Sequence, residues 1–125
     1  MTRIEVTAAT TRSIERDHVA AFGDAVGDRN PVHFDPAFAA SAGLPDTVVH
    51  GPLTTAIIID QVIAQVGAAN LRNLDVRLRG PVFPGDAFTL APIEYGELDR
   101  GVEVTNQRGE QVATVILILE GDPDA

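Results

Sequence analysis

The chain has 125 residues, 45% of them hydrophobic, enough for one buried core and too few for two, so residues 1–125 read as a single domain. A formal charge of −9 argues against a nucleic-acid partner or an anionic membrane surface, and the absence of cysteine excludes disulfides, thiolate metal sites and a cysteine nucleophile. The opening MTRIEVTAATTRSIERD is too polar for a signal peptide, and no apolar stretch is long enough to span a bilayer, which together point to the cytoplasm.

In chain order, the alternation of Ile4, Val6 and Ala8 predicts a short edge strand over residues 3–8. Ser13 is placed to cap a first helix over residues 14–26, where Val19, Phe22 and Val26 recur at helical spacing. That helix cannot run through GDRNPVHFDP, residues 27–36. Pro31 lacks a backbone donor, and Asn30 before it is pushed toward extended conformations. A helical turn, PAFAASAG, follows Asp35 and stops near Gly43.

Residues 51–67, GPLTTAIIIDQVIAQVG, form the longest apolar helix pattern. Pro52 suits its first position and Gly67 its end. Ile57, Ile58, Ile59, Val62, Ile63 and Val66 cover most of its circumference, which predicts a helix in the middle of the fold. Downstream, LDVRLRG, DAFTLAPIEY, GVEVTN and QVATVILILE alternate with the turn-rich PVFPGD, ELDRG and NQRGEQ. Strands in succession with short connections make an antiparallel sheet, and that sheet must bury the helix against its concave face. The fold class is therefore α+β. Residues 112–119 are apolar almost without interruption, so the last strand is expected to be covered on both faces, by the helix and by a second subunit or other structure.

Taken alone, an Asp in the fifth place before a His, as Asp28 stands before His33, belongs to a turn. In an unbroken helix the two side chains would point about 140° apart. Only the break at Pro31 lets them converge, and Asn30 reads as the amide that ties the loop down. An imidazole can take or give a proton near neutral pH, and an ionised carboxylate beside it can hold a water.

The succession of a helix, GDRNPVH, His50 and Gly51 at the head of the apolar helix, RGPVFPGD and TNQRGE resembles the MaoC-like hydratase/dehydratase family, the (R)-specific enoyl thioester hydratases. The resemblance covers residues 13–120. It implies a hot-dog fold, an antiparallel sheet wrapped around a long central helix. It implies hydration of a trans-2-enoyl thioester carried on coenzyme A or an acyl carrier, with no cofactor and no metal. Asp28 and His33 would then grip the water as catalytic residues, and the Gly51 N–H would face the thioester oxygen. Helix N-termini suit that task because their first N–H groups lack internal partners and carry partial positive charge. Asn30 and His50 join the oxyanion and substrate-binding set in this reading. Arg72, Arg77, Arg79 and Arg108 are the basic side chains available for a phosphopantetheine or coenzyme A arm.

His18, beside Arg16 and Asp17, reads as a surface residue. Neither a His-Glu-x-x-His pair nor a glycine-rich phosphate loop is present. Among the departures from the family pattern, Val26 stands where a small hydroxyl residue often precedes the Gly-Asp pair, and Pro52 where a flexible apolar residue often follows His-Gly. A homodimer is expected, with a heteromer as the alternative assembly and a hot-dog thioesterase as the alternative enzyme.

Overall fold

A computed structural model of the chain describes residues 5–95 and 99–122. Its elements run β1 (Ala9–Thr10), α1 (Arg16–Val26), a 3-10 turn (Pro31–His33), α2 (Pro36–Ser41), α3 (Gly51–Val66), a second 3-10 turn (Ala68–Asn70), β2 (Leu71–Leu78), β3 (Thr89–Tyr95), β4 (Asp99–Thr105) and β5 (Gln111–Leu119). The strands form one antiparallel sheet in the order β1-β3-β4-β5-β2. The expected ELDRG turn between β3 and β4 falls partly outside the described residues, and its described part, Asp99–Gly101, is strand paired with β3.

Register builds the core. Leu78, Ala113, Val104, Leu90 and Ala9 face one another across the sheet, and Val76, Val115 and Val102 form the next row. From these rows Leu90, Val102, Val104, Ala113 and Val115 join Ile58, Val62 and Val66 of α3 in one hydrophobic cluster, with Val76 packed against it. On β5, Ala113, Val115, Leu117 and Leu119 are buried, while Thr114, Ile116 and Ile118 on the other face are half-buried.

The apolar helix is α3, bounded by Gly51 and Gly67 as the sequence predicts, although Gly51 takes the first position and Pro52 the second. It is not covered all round within the chain. Thr54, Ile58, Val62 and Val66 form the fully buried stripe, and Pro52, Ala56, Asp60 and Ala64 are exposed, because the sheet covers one side only.

Two local expectations are corrected. The predicted edge strand lies partly outside the described residues, and its remainder pairs no strand. Thr7 instead gives its N–H to Gln65 Oε1 (2.8 Å) and takes Gln65 Nε2 on its carbonyl (3.1 Å), so a side-chain amide of α3 replaces a strand partner. Pairing begins at Ala9, opposite Leu90. Ser13 does not cap α1. The N-cap is Glu15, whose N–H donates to His18 Nδ1 (3.3 Å), and Ser13 Oγ donates to the Glu15 carboxylate (2.5 Å).

The PGD and NQRGE turns are locked together by Asp86, which is 1% exposed. Its carboxylate accepts from the Phe83 N–H (3.0 Å), Gln107 Nε2 (2.8 Å) and the Arg108 guanidinium (3.0 and 3.3 Å). Asn106 Oδ1 in turn accepts from the N–H groups of Arg108 (2.9 Å) and Glu110 (3.0 Å).

Candidate active site

The loop after α1 is shaped by its own side chains. Gly27 takes a left-handed conformation (φ 75°), which favours glycine and turns the chain out of the helix. The Asn30 N–H then donates to Asp28 Oδ1 (3.2 Å), and Asn30 Oδ1 accepts from the Val32 N–H (3.1 Å), capping the Pro31–His33 turn. Two bonds pin this loop to the segment entering α3: the Val48 N–H donates to the Val32 carbonyl (3.1 Å), and His33 Nδ1 bonds the Val48 carbonyl (2.7 Å).

Val48 and His50 share that segment, so His50 arrives beside His33. The two rings stack with centroids 3.7 Å apart and planes inclined by 24°. Asp28 Oδ2 lies 3.8 Å from His33 Nε2 and 3.9 Å from His50 Nε2. The His50 side chain is fully buried, that of His33 is 12% exposed and that of Asp28 45%, so the cluster opens to solvent on the aspartate side.

Hydrogen positions follow from the partners. A carbonyl only accepts, so His33 carries a proton on Nδ1, and in its neutral form the ring turns the Nε2 lone pair toward Asp28. A carboxylate oxygen and a ring lone pair 3.8 Å apart cannot bond each other. A water between them can give one hydrogen to each, at ordinary hydrogen-bond lengths of about 2.8 Å.

Gly51 opens α3, and its N–H has no acceptor within the helix. Pro52 contributes no N–H, and the Thr54 N–H is already given to the His50 carbonyl (3.0 Å), so Gly51 and Leu53 carry the donors left over at this end. A Cβ at Gly51 would come within 3.2 Å of Leu78 Cδ1. Phe22 and Phe34 stand around His50, with centroids 5.1 and 5.8 Å from its ring. Phe34 and Leu78 remain exposed, giving the surroundings an apolar edge.

One contributor escaped the sequence reading. Gly23, inside α1, lies so close to the loop that a Cβ there would meet Phe34 Cζ at 2.6 Å and the Asp28 carbonyl oxygen at 2.9 Å. The only sequence signal was a glycine in a helix interior, which calls for a packing reason.

The other predicted residues fall elsewhere. Asn30 is exposed, and its amide oxygen serves the turn. Arg72 pairs with Glu120 and donates to the Ala69 carbonyl (2.6 Å). Strand alternation puts Leu74, Val76 and Leu78 toward α3 and Arg77 on the opposite face, beside Asp75 (3.6 Å). Arg79 donates to Thr114 Oγ1 (3.2 Å), and Arg108 is engaged by Asp86 and Glu110. As a metal site, Asp28, His33 and His50 offer donor atoms within 4.8 Å of one another. Stacked imidazoles, however, carry in-plane lone pairs that run side by side rather than meet at one point, so the set suits a water better than a metal ion.

Known proteins resemble the chain in both sequence and fold. The chain is 36% identical over 98 residues to 3-hydroxyacyl-thioester dehydratase Y of Mycobacterium tuberculosis, covering 75% of this chain and 33% of that protein. It is 39% identical over 75 residues to the (R)-specific enoyl-CoA hydratase of Aeromonas caviae, covering 57% and 54% of the two. The chain thus spans a third to about half of these relatives. Among solved structures, the R-hydratase PhaJ1 of Pseudomonas aeruginosa superposes with a TM-score of 0.71 at 30% identity, over 92% of this chain and 80% of that one. A MaoC-like dehydratase from Phytophthora capsici superposes with a TM-score of 0.78 at 19% identity, over 100% and 45%, a likeness of fold. The fold is the hot-dog expected from the sequence. The model of the MaoC like domain matches residues 2–115, and the chain belongs to that family.

Proposed function

We propose that the chain catalyses the reversible hydration of a trans-2-enoyl thioester, on coenzyme A or an acyl carrier, to the (R)-3-hydroxyacyl thioester. The observation that carries this reading is the 3.8 Å gap between Asp28 Oδ2 and a His33 Nε2 whose lone pair is fixed by the Nδ1 bond to Val48. A water in the gap gives its oxygen to C3 of the substrate and one proton to His33 Nε2. Asp28 holds the second hydrogen and stabilises the imidazolium. Electron density moves to the thioester oxygen, which the Gly51 N–H receives, and the imidazolium returns a proton to C2, completing the addition of one water. The names of the relatives, a hydratase and a 3-hydroxyacyl-thioester dehydratase, support the same chemistry in both directions.

The test follows the absorbance of a short trans-2-enoyl-CoA with free thiol monitored in the same cuvette. Wild type should consume the conjugated signal without releasing thiol, and Asp28→Asn and His33→Ala should each lower kcat by about 10²–10⁴. Thiol release would make the protein a thioesterase instead.

We also propose a homodimer in the cytoplasm. β2 ends the strand order, and Leu78 and Ile93 are exposed apolar residues, features that a second copy would cover. Among the described residues, no helix is long and apolar enough to cross a membrane. Light scattering should give about twice the chain mass, as for the common two-fold dimer; a monomer that is active would remove the dimer from the proposal.

A further inference from the structure

We propose that His50 is a positioning residue for the dyad: it holds the Asp28 main chain through its Nε2–H and backs His33 with its ring face, keeping the Asp28 carboxylate and the His33 lone pair one water apart. The inference rests on the hydratase reading above.

His50 Nε2 lies 3.3 Å from the Asp28 carbonyl oxygen. That oxygen can only accept, so the His50 proton sits on Nε2. The consequence is a bare Nδ1, which is buried and without a hydrogen-bond partner among the described residues. A buried polar atom left unpaired is unfavourable, whereas an apolar side chain of similar size would fill the same space without that penalty. The bond that its Nε2–H makes is therefore what sets a histidine apart from an apolar side chain here.

The two stacked rings take opposite tautomers. His33 is protonated on Nδ1 and presents a lone pair to Asp28; His50 is protonated on Nε2 and presents a hydrogen. At 3.9 Å the His50 nitrogen is too far from Asp28 Oδ2 to occupy it, so it fixes the main chain and leaves the carboxylate to the water. Phe22 and Phe34 pack around the His50 ring, and the absence of a side chain at Gly23 leaves room for the Asp28 carbonyl and for Phe34. With its side chain fully buried, His50 acts on the reaction through Asp28 and His33 rather than by touching substrate.

Two measurements test this, one of them independent of activity. Side-chain ¹⁵N correlation spectra of the resting protein at alkaline pH, with His50→Gln used for assignment, should show His50 protonated on Nε2 and His33 on Nδ1. A His50 protonated on Nδ1 would overturn the proposal, whatever the enzyme's substrate. In kinetics, His50→Leu should lower kcat by at least about tenfold with KM within about twofold, and His50→Gln, whose amide can reach the same carbonyl, should recover kcat to within about threefold of wild type. Equal losses in both variants would make His50 a proton carrier or a packing residue, and an unchanged His50→Leu would remove it from the mechanism; either result sinks the proposal. His50→Met takes the place of the leucine variant should that fail to fold. An inactive wild type would refute the hydratase reading alone, since the tautomer result stands apart from turnover.

Discussion

Asp28 and Asp86 are both held in turns, and the difference between their surroundings separates a site from a rivet. Asp86 is buried, and its oxygens are filled by a backbone N–H, an amide and a guanidinium. Burial on its own would raise its carboxyl, but the bonds from Phe83, Arg108 and Gln107 outweigh that and hold it below the usual aspartate value. Asp28 takes one N–H, from Asn30, on Oδ1, and its Oδ2 faces two ring nitrogens beyond hydrogen-bond range. A carboxylate whose acceptors are saturated joins two pieces of chain. One left partly open beside a lone pair of fixed direction can handle water.

The sharpest way to break this comparison is to make the same change at both positions. Asp28→Asn should lower kcat by about 10²–10⁴ while moving the unfolding free energy by no more than about 0.5 kcal/mol. Asp86→Asn should do the opposite, costing about 1–3 kcal/mol in urea unfolding with kcat of the folded fraction unchanged. Loss of turnover in the Asp86 variant at full stability would end the distinction.

Gly23→Ala comes next in size. Alanine inside a helix is ordinarily better than glycine by about 1 kcal/mol. Here its methyl would press on the Asp28 carbonyl and on Phe34, so kcat should fall by about 10- to 100-fold, with urea unfolding showing less than the usual gain. An active, stabilised variant would show that the loop does not depend on that space.

Acid should reveal the Asp86 clamp. A carboxyl held below its ordinary value contributes its stability fully above the unfolded value of about 3.9 and loses it as pH falls through the lower folded value. The gap in urea midpoint between wild type and Asp86→Asn should therefore be full near neutrality and close below about pH 4. A gap that is constant with pH would mean that the aspartate acts there without its charge. The smallest effect belongs to Arg77→Gln, where KM for an acyl-CoA should stay within about twofold, since the side chain is an exposed partner of Asp75. A large rise in KM would return Arg77 to the carrier-binding role that the sequence suggested.

Elements with local punctuation were readable from sequence. Gly51-Pro52 and Gly67 bracket α3, Pro31 breaks the chain after α1, and alternation separated by turn residues marks β2 through β5. The approach of Asp28 to His33 was readable from the GDRNPVH stretch. What could not be read depends on partners distant in the chain: the Gln65 amide that replaces a strand beside Thr7, the Asp86 to Arg108 clamp across 22 positions, and the Val48 carbonyl that sets the His33 tautomer. The cap of α1 was missed because Ser13 is a good capping residue by type, while the neighbouring Glu15 and His18 satisfy the helix end together.

The Val48 bond also limits what engineering can achieve. Because Nδ1 is committed to a carbonyl, Nε2 is the His33 nitrogen left to exchange protons in the proposed reaction. Under the proposed hydration, the atom that takes a proton from water would then be the one that protonates the departing hydroxyl in dehydration. Detailed balance requires a substitution at His33 to slow both directions by the same factor under fixed conditions. On this reading the direction of flux is chosen by the concentrations of the two thioesters and not by the protein.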